Sequence, residues 1–498
     1  MCSFGGTDLK YIFKKYEKKI DLDLLKVASI VVIMFYGVNF SIEYATDTYS
    51  TFQEIGTWEW MLFENGRLIN AIIYYIIERF QISNGYIYKM SYMLAIFSLT
   101  LAVYVLGKIL CEFCNNKYVC TLVSFLTISN FFVIEYFMFI EKGMFMLAVL
   151  LCTVAVYFTK EFFEKEQKRF LLFSLGCLLM AVFIYQLMLG LFVVMCLPFV
   201  VKYSDNWKSF VKNNILVAML YIMPMLGAFV VTKFMLNSSR IGEVTGIIEN
   251  IKNVISIVWT VSWKQWFHLG EHLFATCTLM VIIGVALLNV GIYEEISIWK
   301  RIVPMAYIIL GTVFTAFFPK ISGIGDIVAP RTLYPYGCLP GIVAIYAIIS
   351  LGNNVKKRNI VVFGFVLTIV LGMQYLNFSS VIIERYRANQ NDKYYCEIIG
   401  EKIKEYEEES GNAVDTICFY YDKSVKWYDS GCDETTQSPR AQSCGWSNVT
   451  ALNMYLDKEY IKGEPCSEHI EYFEQYNWDT YSDKQIIFEG NVLHLCIY

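Results

Sequence analysis

The sequence predicts a polytopic α-helical membrane protein that carries a small α/β domain at its C-terminal end. Three observations carry this reading. Of the 498 residues, 56% are hydrophobic and 17% charged, and the mean hydropathy is +0.45. A water-soluble chain of this length would be charged at about a quarter of its residues and would divide into about three domains. Apolar windows of about 20 residues, the length that crosses roughly 30 Å of hydrocarbon, recur as far as residue 379. The net charge of −4 is also unevenly shared: residues 380–498 hold 22 acidic and 11 basic residues, leaving the remainder at +7. Disordered, collagen-like and soluble globular classes are excluded.

Uninterrupted apolar runs predict about eleven transmembrane helices, near 25–42, 91–110, 118–140, 143–159, 170–184, 187–203, 215–235, 273–292, 302–318, 334–351 and 360–379. The runs at 170–184 and 187–203 also read as one kinked unit. Residues 68–83 fit either a further span or a helix lying in the interface. The domains are then an N-terminal tail (1–24), a transmembrane domain (25–379) and a C-terminal domain (380–498).

Basic residues in short connections set the orientation. Lys10, Lys14, Lys15, Lys18 and Lys19 precede the first span; Lys160, Lys165, Lys168 and Arg169 follow the fourth. Lys300 and Arg301 follow the eighth, and Lys356, Lys357 and Arg358 the tenth. With eleven crossings all of these share one side. That predicts a multi-pass protein of the cell membrane with a cytoplasmic N-terminus and an extracytoplasmic C-terminal domain. The first apolar run follows 24 polar residues and reads as a signal anchor.

Eight of the 15 cysteines lie in or beside spans as small apolar fillers and Cys2 lies in the N-terminal tail, whereas Cys396, Cys418, Cys432, Cys444, Cys466 and Cys496 form an even set in the C-terminal tail. In an exported domain such a set predicts disulfides of undetermined pairing. Apolar positions at helical spacing predict a helix over 383–409. The segments TICFYY (416–421), QIIF (485–488) and VLHLCIY (492–498) predict strands. No catalytic motif stands out in the tail.

Ionisable groups inside a bilayer are costly and mark function. The predicted spans hold almost none at mid-depth: Lys26, Lys108 and Lys233 lie near ends, and Glu135 lies near the outer end of the third span. An ion-coupled transporter is expected to bury carboxylates at the midplane, so that class is disfavoured. Polar residues concentrate instead in three outward connections, 43–67, 236–272 and 319–333. The first interleaves Glu43, Asp47, Glu54, Glu59, Glu64 and Arg67 with Trp58 and Trp60. Tryptophans there either anchor at headgroup level or stack on a sugar face.

Four features in order extend this reading: an acid after the first span, Asn65-Gly66-Arg67 opening an apolar helix, Tyr185-Gln186 between closely spaced spans, and Pro330-Arg331 before a late span. Together, across most of residues 25–410, they resemble the bacterial type II O-antigen glucosyltransferase family, which has the GT-C membrane fold. Thr48 follows Asp47 where relatives often show a second acid, and Leu68 stands where Trp often follows Gly-Arg.

The resemblance implies inverting transfer of a hexose, glucose in the family, from a polyprenyl phosphate donor to a surface polysaccharide or related glycan. Asp47 is the expected general base, because a carboxylate within reach can take the proton of an attacking hydroxyl. Arg331, Arg67 and Lys320 are the expected donor-phosphate ligands, with Lys142 next, since fixed cations stabilise a departing phosphate. Glu135, Glu141, Tyr185, Gln186 and Trp58 are the expected substrate-binding residues. No metal ligand set or cofactor is assigned, and a divalent metal at Glu135 and Glu141 stays open. The expected partners are the donor lipid, the acceptor glycan and the bilayer, with no nucleic acid. The ordinary alternatives are a solvated loop acid for Asp47 and arginines snorkelling to headgroups.

A lipid-linked glycan flippase and a surface assembly protein acting through the tail are the competing functions. Three further patterns read as incidental. His268-Leu-Gly-Glu271-His272 lacks a third metal ligand, Asp21-Leu-Asp23 has too short a leader for a nucleotide-binding domain, and Cys111-Glu-Phe-Cys114 has no second pair.

Overall fold

The computed structural model describes residues 20–37, 44–53, 57–235, 246–267, 269–290, 299–322, 329–352, 355–421, 445, 447–475 and 482–497. Its helices follow the predicted spans in order. The first is α1 (Leu22–Tyr36), capped by Asp21, whose carboxylate accepts the Leu24 amide at 3.1 Å and pairs with Lys117 at 2.7 Å. The Asp21-Leu-Asp23 pattern is therefore a helix cap and ion pair. Next come α2 (Thr46–Gln53), α3 (Leu68–Arg79), α4 (Asn84–Leu110), α5 (Lys117–Ile128), α6 (Val133–Met138) and α7 (Lys142–Lys165). The chain continues through α8 (Lys168–Ile184), α9 (Leu189–Lys202), α10 (Trp207–Met235), α11 (Ile247–Trp263), α12 (Leu273–Leu288), α13 (Trp299–Ile321), α14 (Leu339–Leu351) and α15 (Lys357–Ser410).

Among the described residues six helical segments are long and apolar enough to cross a membrane: Asn84–Leu110, Lys142–Lys165, Trp207–Val231, Ile302–Ile321, Pro330–Leu351 and Lys357–Ser410. This is the composition of a multi-pass membrane protein. The lengths support six spans, and the figure of eleven goes beyond them. Close helix approach uses glycine: a Cβ on Gly143 of α7 would lie 2.6 Å from the Ser91 carbonyl of α4, the small-residue contact typical of membrane helices.

Three expectations are corrected, and one alternative left open is resolved. The third predicted span, 118–140, is not continuous: α5 stops at Ile128 and α6 starts at Val133. Backbone groups freed inside a bundle need new partners, and here side chains supply them. Gln374 donates to the Ser129 carbonyl, Tyr334 donates to the Ile128 carbonyl at 2.5 Å, and Asn130 accepts from the Phe132 amide at 3.0 Å while donating to the Tyr334 carbonyl at 3.2 Å. The connection 236–272 holds the helix α11, missed because its apolar residues alternate with Glu249, Asn250 and Lys252. The expected boundary at residue 380 falls inside α15, which runs on for 54 residues because no glycine or proline interrupts residues 373–399. Residues 68–83 resolve to α3, 12 residues long and so about 18 Å, too short to cross. Ile72, Tyr75 and Ile76 are exposed on one side while Asn70, Ala71 and Tyr74 are buried on the other, which is the form of an interfacial helix.

The three predicted C-terminal strands form as β1 (Thr416–Tyr421), β3 (Ile486–Glu489) and β4 (Val492–Ile497), and β2 (Ile461–Lys462), which the sequence did not indicate, joins them in the order β2-β1-β4-β3. β1 runs parallel to β2 and β4, and β3 antiparallel to β4. The C-terminal half of α15 covers one face, with Tyr406 stacked on Phe488 at 4.3 Å between centroids. The short helices α16 (Asn448–Leu456) and α17 (Ser467–Glu474) complete the unit. Cys396, Cys418, Cys466 and Cys496 are thiols here, so the expected disulfide framework is not formed among the described residues. Cys396 and Cys496 fill the domain's apolar core. Cys432 and Cys444 lie outside the described residues.

Candidate functional site

The break between α5 and α6 turns Glu135 into the bundle, where only 2% of its side chain is exposed, opposite the turn Pro330–Leu333. Arg331 donates from Nη1 to Glu135 Oε1 at 2.5 Å and from its backbone amide to Oε2 at 2.6 Å. Tyr136 donates to the Arg331 carbonyl at 2.6 Å, and the guanidinium lies 5.4 Å from the Phe139 ring centroid. A buried ion pair persists when its remaining polar atoms are satisfied, and this pair holds Arg331 in one orientation. α13, whose last turn carries Lys320, packs against the same turn.

Asp47 lies in the first turn of α2, and its charge acts on both Arg331 and Glu141. Glu141, just before α7, is 8% exposed. Burial raises its carboxyl above the usual carboxylate range, Arg67 opposes this, and Asp47 adds to it. Arg67 sits 4.8 Å from the Tyr185 ring centroid, and Gln186 Nε2 donates to the Asn65 carbonyl at 3.1 Å. Lys142, 1% exposed, donates to Tyr88 Oη at 2.8 Å. The fold thus brings Asp47, Arg67, Glu135, Glu141, Lys142, Tyr185, Gln186 and Arg331 to one end of the bundle. Trp58 stands one step outside. It packs with Met61, Ala71 and Tyr74, and its ring centroid is 5.7 Å from that of Tyr75.

α2 is clamped between bundle and tail. Asn389 of α15 accepts from the Tyr44 amide at 2.7 Å and donates to its carbonyl at 3.0 Å. Tyr49 shares a hydroxyl hydrogen bond of 2.8 Å with Tyr455 of α16. The acid is therefore placed by contacts more than 300 residues away in sequence.

Three residues that the motifs did not indicate complete the cluster. Asn70 follows Arg67 by one helical turn and is 1% exposed, yet neither its amide nitrogen nor its oxygen has a hydrogen-bond partner among the described residues. The same holds for Arg67 Nε and for the hydroxyls of Thr46 and Thr48, which flank Asp47. Buried polar atoms are usually paired, so their concentration beside the charged groups is informative. The signal was available for Asn70, an amide inside the otherwise apolar run of α3. It was absent for the threonines, whose burial depends on the tail.

The decoy patterns remain apart from this cluster. Glu271 and His272 are exposed, with Oε1 and Nε2 3.5 Å apart, and His268 lies outside the described residues. Cys111, Cys114 and Cys120 are thiols at the other end of the bundle. No protein-family model, curated protein or solved structure matches this chain.

Proposed function

We propose that this protein is a membrane glycosyltransferase that moves a hexose from a polyprenyl phosphate donor to a surface glycan at the extracytoplasmic end of its bundle. One observation carries the reading: an acid and two arginines converge beside buried polar atoms that have no partner among the described residues. Each such atom costs about 1–3 kcal/mol when unpaired, and a polar ligand that pairs with them recovers this.

In the proposed reaction Asp47 takes the proton of the acceptor hydroxyl as its oxygen attacks the anomeric carbon. The bond from that carbon to the donor phosphate breaks with inversion, and the electron pair leaves on the phosphate oxygen. Arg67, with Nε unpaired, is the better-disposed phosphate ligand. Arg331 is committed to Glu135 and acts from a fixed position. Preorganised cations of this kind stabilise developing charge without reorganising. The exposed apolar faces of α3, α10 and α13 suit a bilayer and an isoprenoid tail. Inversion and glucose follow from the family resemblance, and the outward placement follows from the basic residues of the opposite connections.

The test is transfer from a synthetic polyprenyl phosphate hexose to a glycan acceptor in membranes, read by mass spectrometry. Asp47→Asn is expected to lower turnover by about 10²- to 10⁴-fold at normal expression. Full turnover in that variant removes Asp47 as base. Movement of the lipid-linked sugar across the bilayer with no new glycosidic bond replaces the transferase by a flippase.

A further inference from the structure

The C-terminal domain holds a second constellation, which neither the bundle nor the proposed transfer uses. Cys466 caps the N-terminus of α17, and His469 lies in its first turn. His494 comes from β4, and Glu489 ends the neighbouring β3. One ligand atom from each of Cys466, His469 and His494 lies within 4.8 Å of the others. Both histidines are buried, and their ring centroids are 4.0 Å apart.

One carboxylate faces both rings. His469 Nε2 lies 3.1 Å from Glu489 Oε1, and His494 Nε2 lies 3.6 Å from Oε2. Glu489 thus hydrogen-bonds His469 Nε2 and stands at ion-pair distance from His494 Nε2. This is the carboxylate–histidine–metal arrangement that orients ligands from outside the first coordination sphere. His494 Nδ1 faces Tyr420 Oη at 2.8 Å, and the same hydroxyl lies 3.7 Å from Cys466 Sγ and accepts the Cys466 amide at 3.1 Å. The rings and the sulfur therefore surround one point, with Tyr420 beside it.

We propose that Cys466, His469 and His494 bind one divalent transition-metal ion, zinc by preference, with Glu489 as the positioning carboxylate. A thiolate and two imidazoles form a borderline-soft donor set that selects zinc over magnesium or calcium. Tetrahedral zinc places such ligand atoms about 3.3–3.6 Å apart, so the cluster closes by about an ångström on binding. Three ligands fall on two rigid elements, with Cys466 and His469 separated by two residues on one helical turn and His494 on the adjoining strand.

The experiment uses the full chain purified in detergent under reducing conditions, loaded with zinc alone, desalted and measured by elemental mass spectrometry. Close to one zinc per chain is expected in the wild type, with Cys466→Ser and His469→Gln each losing it. Glu489→Gln is expected to weaken zinc by about 10- to 100-fold while keeping the three ligands. Cobalt(II) guards against variants that fail to fold, because the intact protein should then show a thiolate-to-cobalt charge-transfer band. Absence of that band in the wild type, zinc retained by Cys466→Ser, or a Cys418–Cys466 disulfide in peptides mapped without reductant would each overturn the assignment.

Discussion

The two ends of α7 carry buried lysines that face opposite circumstances. Lys160, 1% exposed, is surrounded by carboxylates: Glu112 in a short contact, Glu164 at 2.8 Å and Glu161 at 3.4 Å. Glu161 in turn pairs with Lys165, and Glu164 accepts from Tyr203. None of these groups is left unpartnered among the described residues. About 27 Å away along the same helix, Lys142 borders a cluster in which Arg67 Nε and the side chains of Asn70, Thr46 and Thr48 have no partner among the described residues. A saturated network holds helices together, whereas an unsaturated one is costly to keep, and on the proposed function a ligand completes it.

The largest expected effect breaks the one closed pair inside the open end. Glu135→Ala removes the carboxylate paired with the largely buried Arg331 and is expected to cost about 3–5 kcal/mol, read as lost folded yield and a lowered Tm in detergent. Normal stability would mean that Arg331 reaches water, and that the pair is peripheral.

Lys160→Met tests the saturated end. It leaves Glu112, Glu161 and Glu164 facing one another and is expected to destabilise by about 2–3 kcal/mol, with turnover per folded molecule unchanged. A selective loss of turnover would show that this end also takes part in the chemistry.

Asn70→Leu should move the other way. Removing a buried amide that makes no hydrogen bond is expected to raise stability by about 1 kcal/mol while lowering transfer, seen chiefly in KM for the donor. Destabilisation together with normal transfer would make Asn70 a packing residue. The smallest effect belongs to the clamp on α2: Tyr455→Phe removes the bond to Tyr49 and should cost about 0.5–1.5 kcal/mol, with a modest fall in turnover. Unchanged protease sensitivity at residues 44–53 would show that the tail does not hold α2.

Much of the site was legible in the sequence. Asp47, Arg67 and Arg331 lie in the polar outward connections and match positions that the family resemblance marks. Glu135 was legible as an intramembrane acid, but its partner was not, since the pairing depends on the break at 129–132 and on a turn about 200 residues away. Asn70, Thr46 and Thr48 became notable only once burial was known. The metal-ligand constellation was less visible still. His494 reads as one position of an alternating strand, and its link to Cys466 and His469 exists only because β4 lies beside β1 and α17 folds against them.

Composition, hydropathy and period by themselves determined the membrane class, most of the helices and three of the four strands of the C-terminal sheet. These follow from transfer free energies and side-chain periodicity, which are properties of short windows of chain. Only the tertiary structure decided that α5 ends early, that α15 continues into the C-terminal domain, and that acid, arginines and unpaired amide share one end of the bundle. Those outcomes depend on hydrogen-bond partners and close contacts between segments far apart in sequence, which no local pattern encodes.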